Sequence, residues 1–186
     1  YLAAGSHKWM MGCMGTGVLY VAAGAAQQLI PRTAGWLSHD DDLAFLNAGA
    51  GHLRYDHPFR KRASVFEGGA ASALVMAALR AGIQPLLQLG VDNIWQHIQQ
   101  WHDAVEPFLI DLGYRSERAV APAFRSGSLA LRPPEDTSII ALNARLAEHG
   151  IAASTPDGRI RLAPHWPNSI DETHLITKAF AEASGH

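Results

Sequence analysis

The residue best suited to covalent chemistry is Lys8, which lies in the sequence Ser-His-Lys-Trp at positions 6–9. A lysine amine becomes a nucleophile at neutral pH only where desolvation or a neighbouring cation lowers its pKa. Lys8 is followed by Trp9, Met10 and Met11 and then by a turn containing three glycines, in the segment 12–17. This pattern predicts a lysine held in a tight, water-poor bend, where its amine can form a Schiff base with an aldehyde.

The other two lysines lack such surroundings. Lys61 lies between two arginines, in a basic triplet typical of a solvated segment, and Lys178 lies on the polar side of a predicted C-terminal helix. Since most lysines are solvated, a histidine before a lysine would not by itself single out Lys8. Its apolar and glycine-rich neighbours do.

Composition limits the class of protein. The chain has 186 residues, of which 48% are hydrophobic, so it can bury the core of one domain or of two small ones. A net charge of -2 argues against nucleic acid or an anionic membrane as the main partner. No apolar stretch approaches the roughly 20 residues that span a bilayer. A single cysteine, Cys13, permits no internal disulfide, which fits a reducing compartment, and we expect a cytoplasmic protein.

The elements that must position Lys8 are a strand that enters its turn and an apolar strand at 18–21 that leaves it. The segment 32–64 shows no sustained period and predicts a long irregular connection, in which the aspartates at 40–42 form a solvated acidic loop. Residues 71–81 suit a buried helix, and a break is expected between Gly82 and Gly90.

A long helix follows this break. One apolar face is predicted from the alternating gaps of four and three residues between Ile94, Ile98, Trp101, Val105, Phe108 and Leu112. We expect Pro107 to bend the helix and Gly113 to end it. Its histidines, His97 and His102, are interpreted as rim residues. They lack the i, i+4 spacing of a helical zinc site, so no metal site is predicted.

The last third predicts a small α/β domain with helices over an antiparallel sheet. A strand at 128–132 precedes a helix capped by Asp136 and ended by Gly150. Strands at 151–154 and 159–163 are joined by the turn sequence Pro-Asp-Gly at 156–158. Ser169 and Glu172 form a capping box before the closing helix.

Two arginines of the second predicted strand share one face. Alternation places Arg159 and Arg161 away from the core, while Ile160 and Leu162 face the helices. A planar guanidinium can bind a carboxylate through two hydrogen bonds. From the residues alone, this face fits either a solvated surface or a carboxylate site.

Three segments carry a resemblance to a known family. Residues 5–21 resemble the lysine segment of the class V aminotransferase family, which includes cysteine desulfurases and isopenicillin-N-epimerase-like enzymes. His-Lys-Trp, a glycine turn, Gly-Thr-Gly and an aliphatic-Tyr-Val strand occur in the family's order and spacing. Residues 66–69, Phe-Glu-Gly-Gly, resemble its Phe-Glu-x-Gly-Thr element, with Ala70 in place of the threonine. Residues 161–168 resemble its Arg-x-Ser-x-x-x-Tyr-Asn signature, with Pro167 in place of the tyrosine.

This resemblance implies an α/β fold, namely the C-terminal part of a fold type I pyridoxal-phosphate-dependent transferase. Residues 1–90 are expected to form the remainder of the large, cofactor-binding domain, and residues 91–186 the connector helix and the small domain. Family members are about twice as long, and their first half supplies further cofactor-binding groups. We therefore expect the chain to be a fragment that is inactive in isolation.

The resemblance also implies the cofactor, the partners and the site residues. The cofactor is pyridoxal 5'-phosphate, the substrate an amino acid, and the complete protein a homodimer. Lys8 is the catalytic residue and holds the cofactor, with His7, Ser6 and Gly69 as further cofactor-binding residues. The family's serine lies one position earlier, at Gly5. Arg161 binds the substrate carboxylate.

The reaction stays open among transamination, epimerisation and lyase chemistry. Cysteine desulfurases carry a persulfide-forming cysteine late in the second half, and no cysteine follows Cys13, which is interpreted as a small packed residue. We therefore expect an enzyme other than a cysteine desulfurase. The alternative is a non-catalytic remnant or association module that retains the fold but not the cofactor.

Overall fold

The structure is a computed structural model and describes residues 1–41, 43–52, 54 and 56–184. It divides into two compact units, Tyr1–Gln88 and Leu89–His186. Within the described ranges, no single helix is long and apolar enough to cross a membrane, and two consecutive helices meet that test of length and composition only when taken together.

The described residues of the first unit form two strands and three helices, with 3-10 turns at Ala50–His52 and Ala63–Phe66 between the second and third helices. The strands are β1 (Leu2–Gly5) and β2 (Gly17–Tyr20), and the helices are α1 (Ala23–Ala26), α2 (Phe45–Ala48) and α3 (Ala73–Leu89). Asp42 of the predicted acidic loop lies outside the described residues.

Strands β1 and β2 pair antiparallel, from Leu2 opposite Tyr20 to Gly5 opposite Gly17. The pairing confirms that one strand enters the turn containing Lys8 and another leaves it. Gly17 is required by close approach, because a Cβ at this position would lie 2.6 Å from the carbonyl oxygen of Ala4.

Helix α3 runs through the break predicted at Gly82 and contains Pro85. Gly82 was expected to end a helix, but it allows a close contact instead, since a Cβ there would lie 2.6 Å from the carbonyl oxygen of Met11. The expectation of a buried helix at 71–81 is also wrong. In α3 only Leu79 and Leu86 are buried.

The irregular connection of the first unit is fixed by backbone contacts. Ser38 is fully buried, its hydroxyl accepts from the N–H of Gly35 at 3.0 Å, and it donates to the carbonyl of Val65 at 2.6 Å. Gly35 touches Gly68 so closely that a Cβ on Gly35 would lie 1.9 Å from the Gly68 oxygen. The segment before Gly69 is thereby tied to the turn at Gly35.

The second unit packs three helices against a three-stranded antiparallel sheet of order β3-β4-β5. The elements are α4 (Val91–Asp111), β3 (Arg115–Ser116), β4 (Leu129–Arg132), α5 (Ile139–Glu148), β5 (Ile160–Leu162) and α6 (Thr173–Ser184). The largest fully buried side chains of its core include Phe180, Leu109, Leu129, Leu131, Leu146 and Ile160. The predicted helices and antiparallel sheet of this segment are therefore present.

The buried face of α4 differs from the predicted one near its end. Leu109 is fully buried while Phe108 is 37% exposed, because a period of 3.6 residues carries the face from Val105 to position 109. Gly113 ends the helix as expected, with a φ of 88°. Its N–H bonds the carbonyl of Ile110, and that of Tyr114 bonds Leu109.

His102 was interpreted as a rim residue, and that interpretation is wrong. The side chain is fully buried beside Trp101, and neither ring nitrogen has a hydrogen-bond partner in the described structure. Burial, assisted by the charge of Arg118, lowers the pKa of His102 to about 4.

Two local predictions for the second unit need correction. Ser138, rather than Asp136, caps α5, because its side chain accepts the N–H of Ala141. The segment 151–154 forms a single bridge between Ser154 and Arg161 rather than a strand. The turn at 156–158 is present, with Asp157 and Gly158 at positive φ, which suits a tight hairpin turn.

Candidate active site

Lys8 lies in the segment between β1 and β2, residues 6–16, which we call the lysine loop. The loop is closed by Ser6, which is fully buried. The backbone N–H of Ser6 donates to the carbonyl of Thr16 at 3.0 Å, and the carbonyl of Ser6 accepts from Gly12 at 2.9 Å. The hydroxyl of Ser6 lies 2.8 Å from the carbonyl oxygen of Cys13 and also contacts the Thr16 hydroxyl. Both ends of the loop are therefore held together at Ser6.

Helix α3 supports the lysine loop from outside. Gly82 lies against the carbonyl oxygens of Met10 and Met11, at distances that leave no room for a side chain. A Cβ on Gly12 would lie 3.2 Å from Leu79, which is buried. The helix thus fixes the backbone on the C-terminal side of Lys8.

Lys8 itself is solvent-exposed, as are His7 and Trp9. The expectation of a water-poor bend is wrong for this chain, because the apolar neighbours do not cover the amine: Trp9 is 40% and Met11 46% exposed. Within the described residues, the Lys8 amine makes no hydrogen bond or ion pair. It is an accessible primary amine on a well-fixed loop.

Ser6 is placed differently from a phosphate-binding residue. Its hydroxyl is buried and surrounded by Cys13 and Thr16, so it has neither solvent access nor a free direction toward an anion. This position argues against the predicted cofactor-binding role of Ser6, in which its hydroxyl would donate to the phosphate. The role that its contacts support is closure of the lysine loop.

His7 lies back over Gly5. A Cβ on Gly5 would come within 3.3 Å of the His7 ring. A side chain at position 5 would therefore require the exposed His7 ring to shift slightly. The His7 ring is exposed beside Lys8, where it can contact a bound molecule.

Gly69 is exposed, and no atom lies within 4 Å of the place where its Cβ would be. Its neighbour Gly68 is engaged, since its carbonyl accepts the N–H of Leu37 at 3.3 Å. The 3-10 turn Ala63–Phe66 and the contact at Gly35 thus hold Gly69 at an open edge of the first unit.

Arg161 lies on the outer face of the second unit's sheet. Ile160 and Leu162 are buried and Arg161 is exposed, which confirms the predicted alternation. The Nε of Arg161 donates to the hydroxyl of Ser154 at 3.0 Å. Both of its Nη groups are free of hydrogen bonds within the part of the chain that the structure describes. They can bind a carboxylate with two parallel hydrogen bonds.

The guanidinium of Arg159, by contrast, is already hydrogen-bonded. Its Nε donates to Glu117 at 2.5 Å, and its Nη1 donates to the carbonyl of Asp157 at 3.0 Å. Glu117 also accepts from Arg132 at 2.7 Å. The hydrogen bonds from Arg159 and Arg132 hold the pKa of the Glu117 carboxyl below its ordinary value.

Metal chemistry receives no support from the side chains. Across the described ranges, no group of three or more His, Cys, Asp or Glu residues is arranged to hold a metal ion. Cys13, interpreted from sequence as packed, is exposed in the lysine loop.

Comparison with known proteins identifies the family. Residues 1–159 match the family model described as Aminotransferase class-V. The chain belongs to this family. Its relative in Bacillus subtilis (strain 168), the uncharacterized aminotransferase YcbU, is 26% identical over 188 residues, which cover 97% of this chain and 45% of YcbU.

Solved structures of other proteins share the fold of this chain. A cysteine desulfurase from Thermococcus onnurineus NA1 matches with a TM-score of 0.79 at 18% identity, covering 98% of this chain and 46% of that one. The cystine C-S lyase C-DES matches with a TM-score of 0.79 at 21% identity, covering 96% and 45%. The chain therefore spans about half the length of the proteins it matches. This confirms the predicted α/β fold, as the C-terminal part of a fold type I enzyme.

The predicted cofactor is confirmed at the level of the family. Class V aminotransferases use pyridoxal phosphate, and one C-DES structure is described with glycine covalently linked to that cofactor. The exposed, unpaired Lys8 amine fits such a group, because condensation with an aldehyde requires an accessible amine.

Sequence reasoning missed the roles of three residues, two in the first unit and one in the second. Thr16 contacts Ser6, Gly82 supports the loop, and Glu117 binds Arg159. Only Thr16 had a usable signal, since it lies within the family's Gly-Thr-Gly. The other two depend on contacts between segments distant in sequence.

Proposed function

We propose that the protein containing this chain is a pyridoxal-phosphate-dependent enzyme that acts on an amino acid. The observation that carries the proposal is the lysine loop, which presents one accessible amine on a backbone fixed at Ser6 and against Gly82. Family membership supports the cofactor, and the loop supplies the residue to which it attaches.

In this proposal Lys8 would hold the cofactor until the substrate amine displaces its Nζ, and the freed amine would then accept or return the α-proton of the substrate. The cofactor, when bound, supplies an aldehyde for covalent attachment and an electron sink that stabilises the carbanion. His7 contacts the bound group beside Lys8. The backbone at Gly69 is available to the phosphate, because nothing in the described structure covers it.

We propose Arg161 as the ligand of the substrate carboxylate. Its two free Nη groups and its exposure support this role, and the engagement of Arg159 with Glu117 favours Arg161 over its neighbour. Bidentate binding also orients the substrate, because the planar guanidinium fixes the plane of the carboxylate.

The choice among transamination, epimerisation and lyase chemistry stays open. We propose that the reaction is not cysteine desulfuration, because the sequence has a single cysteine and it lies in the lysine loop. Conversion of cysteine to alanine by the full-length protein, with the released sulfur carried as a persulfide, would contradict this. We propose the cytoplasm as the compartment and a homodimer as the assembly of the complete protein, both from the family.

The proposal is tested by trapping the attachment site. The full-length protein is incubated with pyridoxal phosphate, reduced with borohydride and digested, and the modified peptide is identified by mass spectrometry. We expect the label on Lys8 and its loss in Lys8→Ala. Lys61→Ala is the matched control and should keep the label.

A label that is absent from the wild type, or that persists in Lys8→Ala, would contradict the proposed attachment. The first of these outcomes would favour the alternative, a chain that retains the family fold without the cofactor. We also expect the isolated 186-residue chain to bind little cofactor.

A further inference from the structure

The outer face of the β3-β4-β5 sheet carries four arginines and one glutamate, which together we call the arginine face. Its residues are Arg115, Arg132, Arg159, Arg161 and Glu117. The register places Arg115 opposite Arg132 and Ala130 opposite Arg161, so these side chains project from the same side of the sheet.

Glu117 forms hydrogen bonds with two of these arginines. Its two carboxylate oxygens are taken by different partners: Oε1 accepts from Arg132 at 2.7 Å and Oε2 from Arg159 at 2.5 Å. The backbone N–H of Glu117 donates to the carbonyl of Ala130 at 2.9 Å, which fixes the residue alongside β4. The carboxylate is therefore held between the two guanidinium groups.

Arg161 of β5 makes different contacts from Arg159, which lies two residues earlier, just before the strand. Among the described residues, the guanidinium of Arg161 makes one hydrogen bond, from its Nε to the hydroxyl of Ser154. Its opposite residue is the small Ala130, so no long side chain on β4 covers the guanidinium. The spacing between alternate residues of a strand is roughly 7 Å, so a ligand with two carboxylates could reach both arginines if Arg159 were free.

We infer that Glu117 is a specificity-determining residue, which occupies Arg159 and so limits the site to ligands that present one carboxylate to Arg161. This inference rests on the proposed role of Arg161 as the carboxylate ligand. A ligand with a second carboxylate would have to displace Glu117 from Arg159, and the displaced carboxylate would repel it.

The test compares two probes that differ in one carboxylate, butyrate and glutarate. Their affinities for the full-length protein are measured by isothermal titration calorimetry at low ionic strength. In Glu117→Gln we expect the affinity for glutarate to rise about tenfold, because a newly available guanidinium–carboxylate pair adds a strong charge-assisted bond. The affinity for butyrate should rise less than about threefold, since only the overall charge changes.

Two further variants make the assignment specific. Glu135→Gln removes an exposed carboxylate elsewhere in the same unit and should leave the ratio of the two affinities unchanged. The double variant Glu117→Gln with Arg159→Gln should lose the gain for glutarate. If Glu117→Gln does not fold, Glu117→Ala replaces it, with the same expectations.

The outcomes separate this inference from the proposed function. If Arg161→Gln weakens butyrate binding while Glu117→Gln leaves the glutarate-to-butyrate ratio at its wild-type value, the role of Glu117 is refuted and that of Arg161 stands. The role of Glu117 is also refuted if the double variant, which lacks Arg159, keeps the increased affinity for glutarate. If Arg161→Gln leaves butyrate binding unchanged, the proposed carboxylate ligand is wrong, and the inference built on it is wrong too.

Discussion

Replacing Gly82 by alanine should destabilise the first unit, although alanine is the better helix former. In the interior of a helix, Gly→Ala ordinarily stabilises by about 1 kcal/mol. At Gly82 the added Cβ would lie 2.6 Å from the carbonyl oxygen of Met11 and 2.9 Å from that of Met10. Both contacts are to backbone, which cannot rotate away, so α3 or the lysine loop has to shift.

The magnitude follows from these two opposing effects. Overpacking of this kind costs about 1–3 kcal/mol, and the gain in helix propensity offsets about 1 kcal/mol of it. We expect Gly82→Ala to lower the free energy of unfolding by up to about 2 kcal/mol, measured by urea denaturation. Because the shift falls on the loop, borohydride trapping at Lys8 should also slow.

Gly24→Ala is the matched control, since Gly24 lies in the short helix α1 and no atom lies within 4 Å of its Cβ position. The same substitution there should be neutral or slightly stabilising. If Gly82→Ala stabilises the protein as much as Gly24→Ala does, α3 does not support the lysine loop through this contact and the reasoning is refuted.

Two other predictions concern stability. Ser6→Ala should lower the free energy of unfolding by about 1–3 kcal/mol, because it leaves buried polar groups of the lysine loop without their partner. Urea denaturation measures this change, with the exposed Ser126→Ala as the control. An equal loss of stability in the two variants would exclude a closing role for Ser6. The buried His102 should make stability fall as the pH drops from about 6.5 toward 4, because the unfolded chain takes up a proton that the folded chain, with its pKa of about 4, refuses. Above pH 6.5 both states are neutral and His102 contributes no pH dependence. We expect a loss of about 2 kcal/mol at pH 4, after allowance for solvent screening. His102→Asn should reduce this slope, and an unchanged slope would show that other groups cause it.

The sequence predicted best those features that depend on neighbouring residues. The strands around the lysine loop, the glycine end of α4 at Gly113 and the turn at 156–158 all follow from local conformational preferences. The alternation that exposes Arg161 and buries Ile160 is local as well.

Features that depend on contacts between distant segments were missed or misread. The sequence marks Gly82 as a helix breaker, and only its proximity to Met11 shows why glycine is needed. His102 is polar and was placed at a rim, but the helix turns it into the core. The exposure of Lys8 could not be read from its apolar neighbours, because whether Trp9 and Met11 cover the amine depends on their orientation.

The contact that closes the lysine loop joins residues only ten positions apart. Chain segments of this length meet within about 10–100 ns, far sooner than distant parts of a domain. Ser6 can therefore find Thr16 early during folding, before most of the domain has assembled. It follows that a short stretch of contiguous chain encodes much of the backbone around Lys8. A peptide that spans β1, the lysine loop and β2 is therefore a suitable piece in which to study how the loop closes.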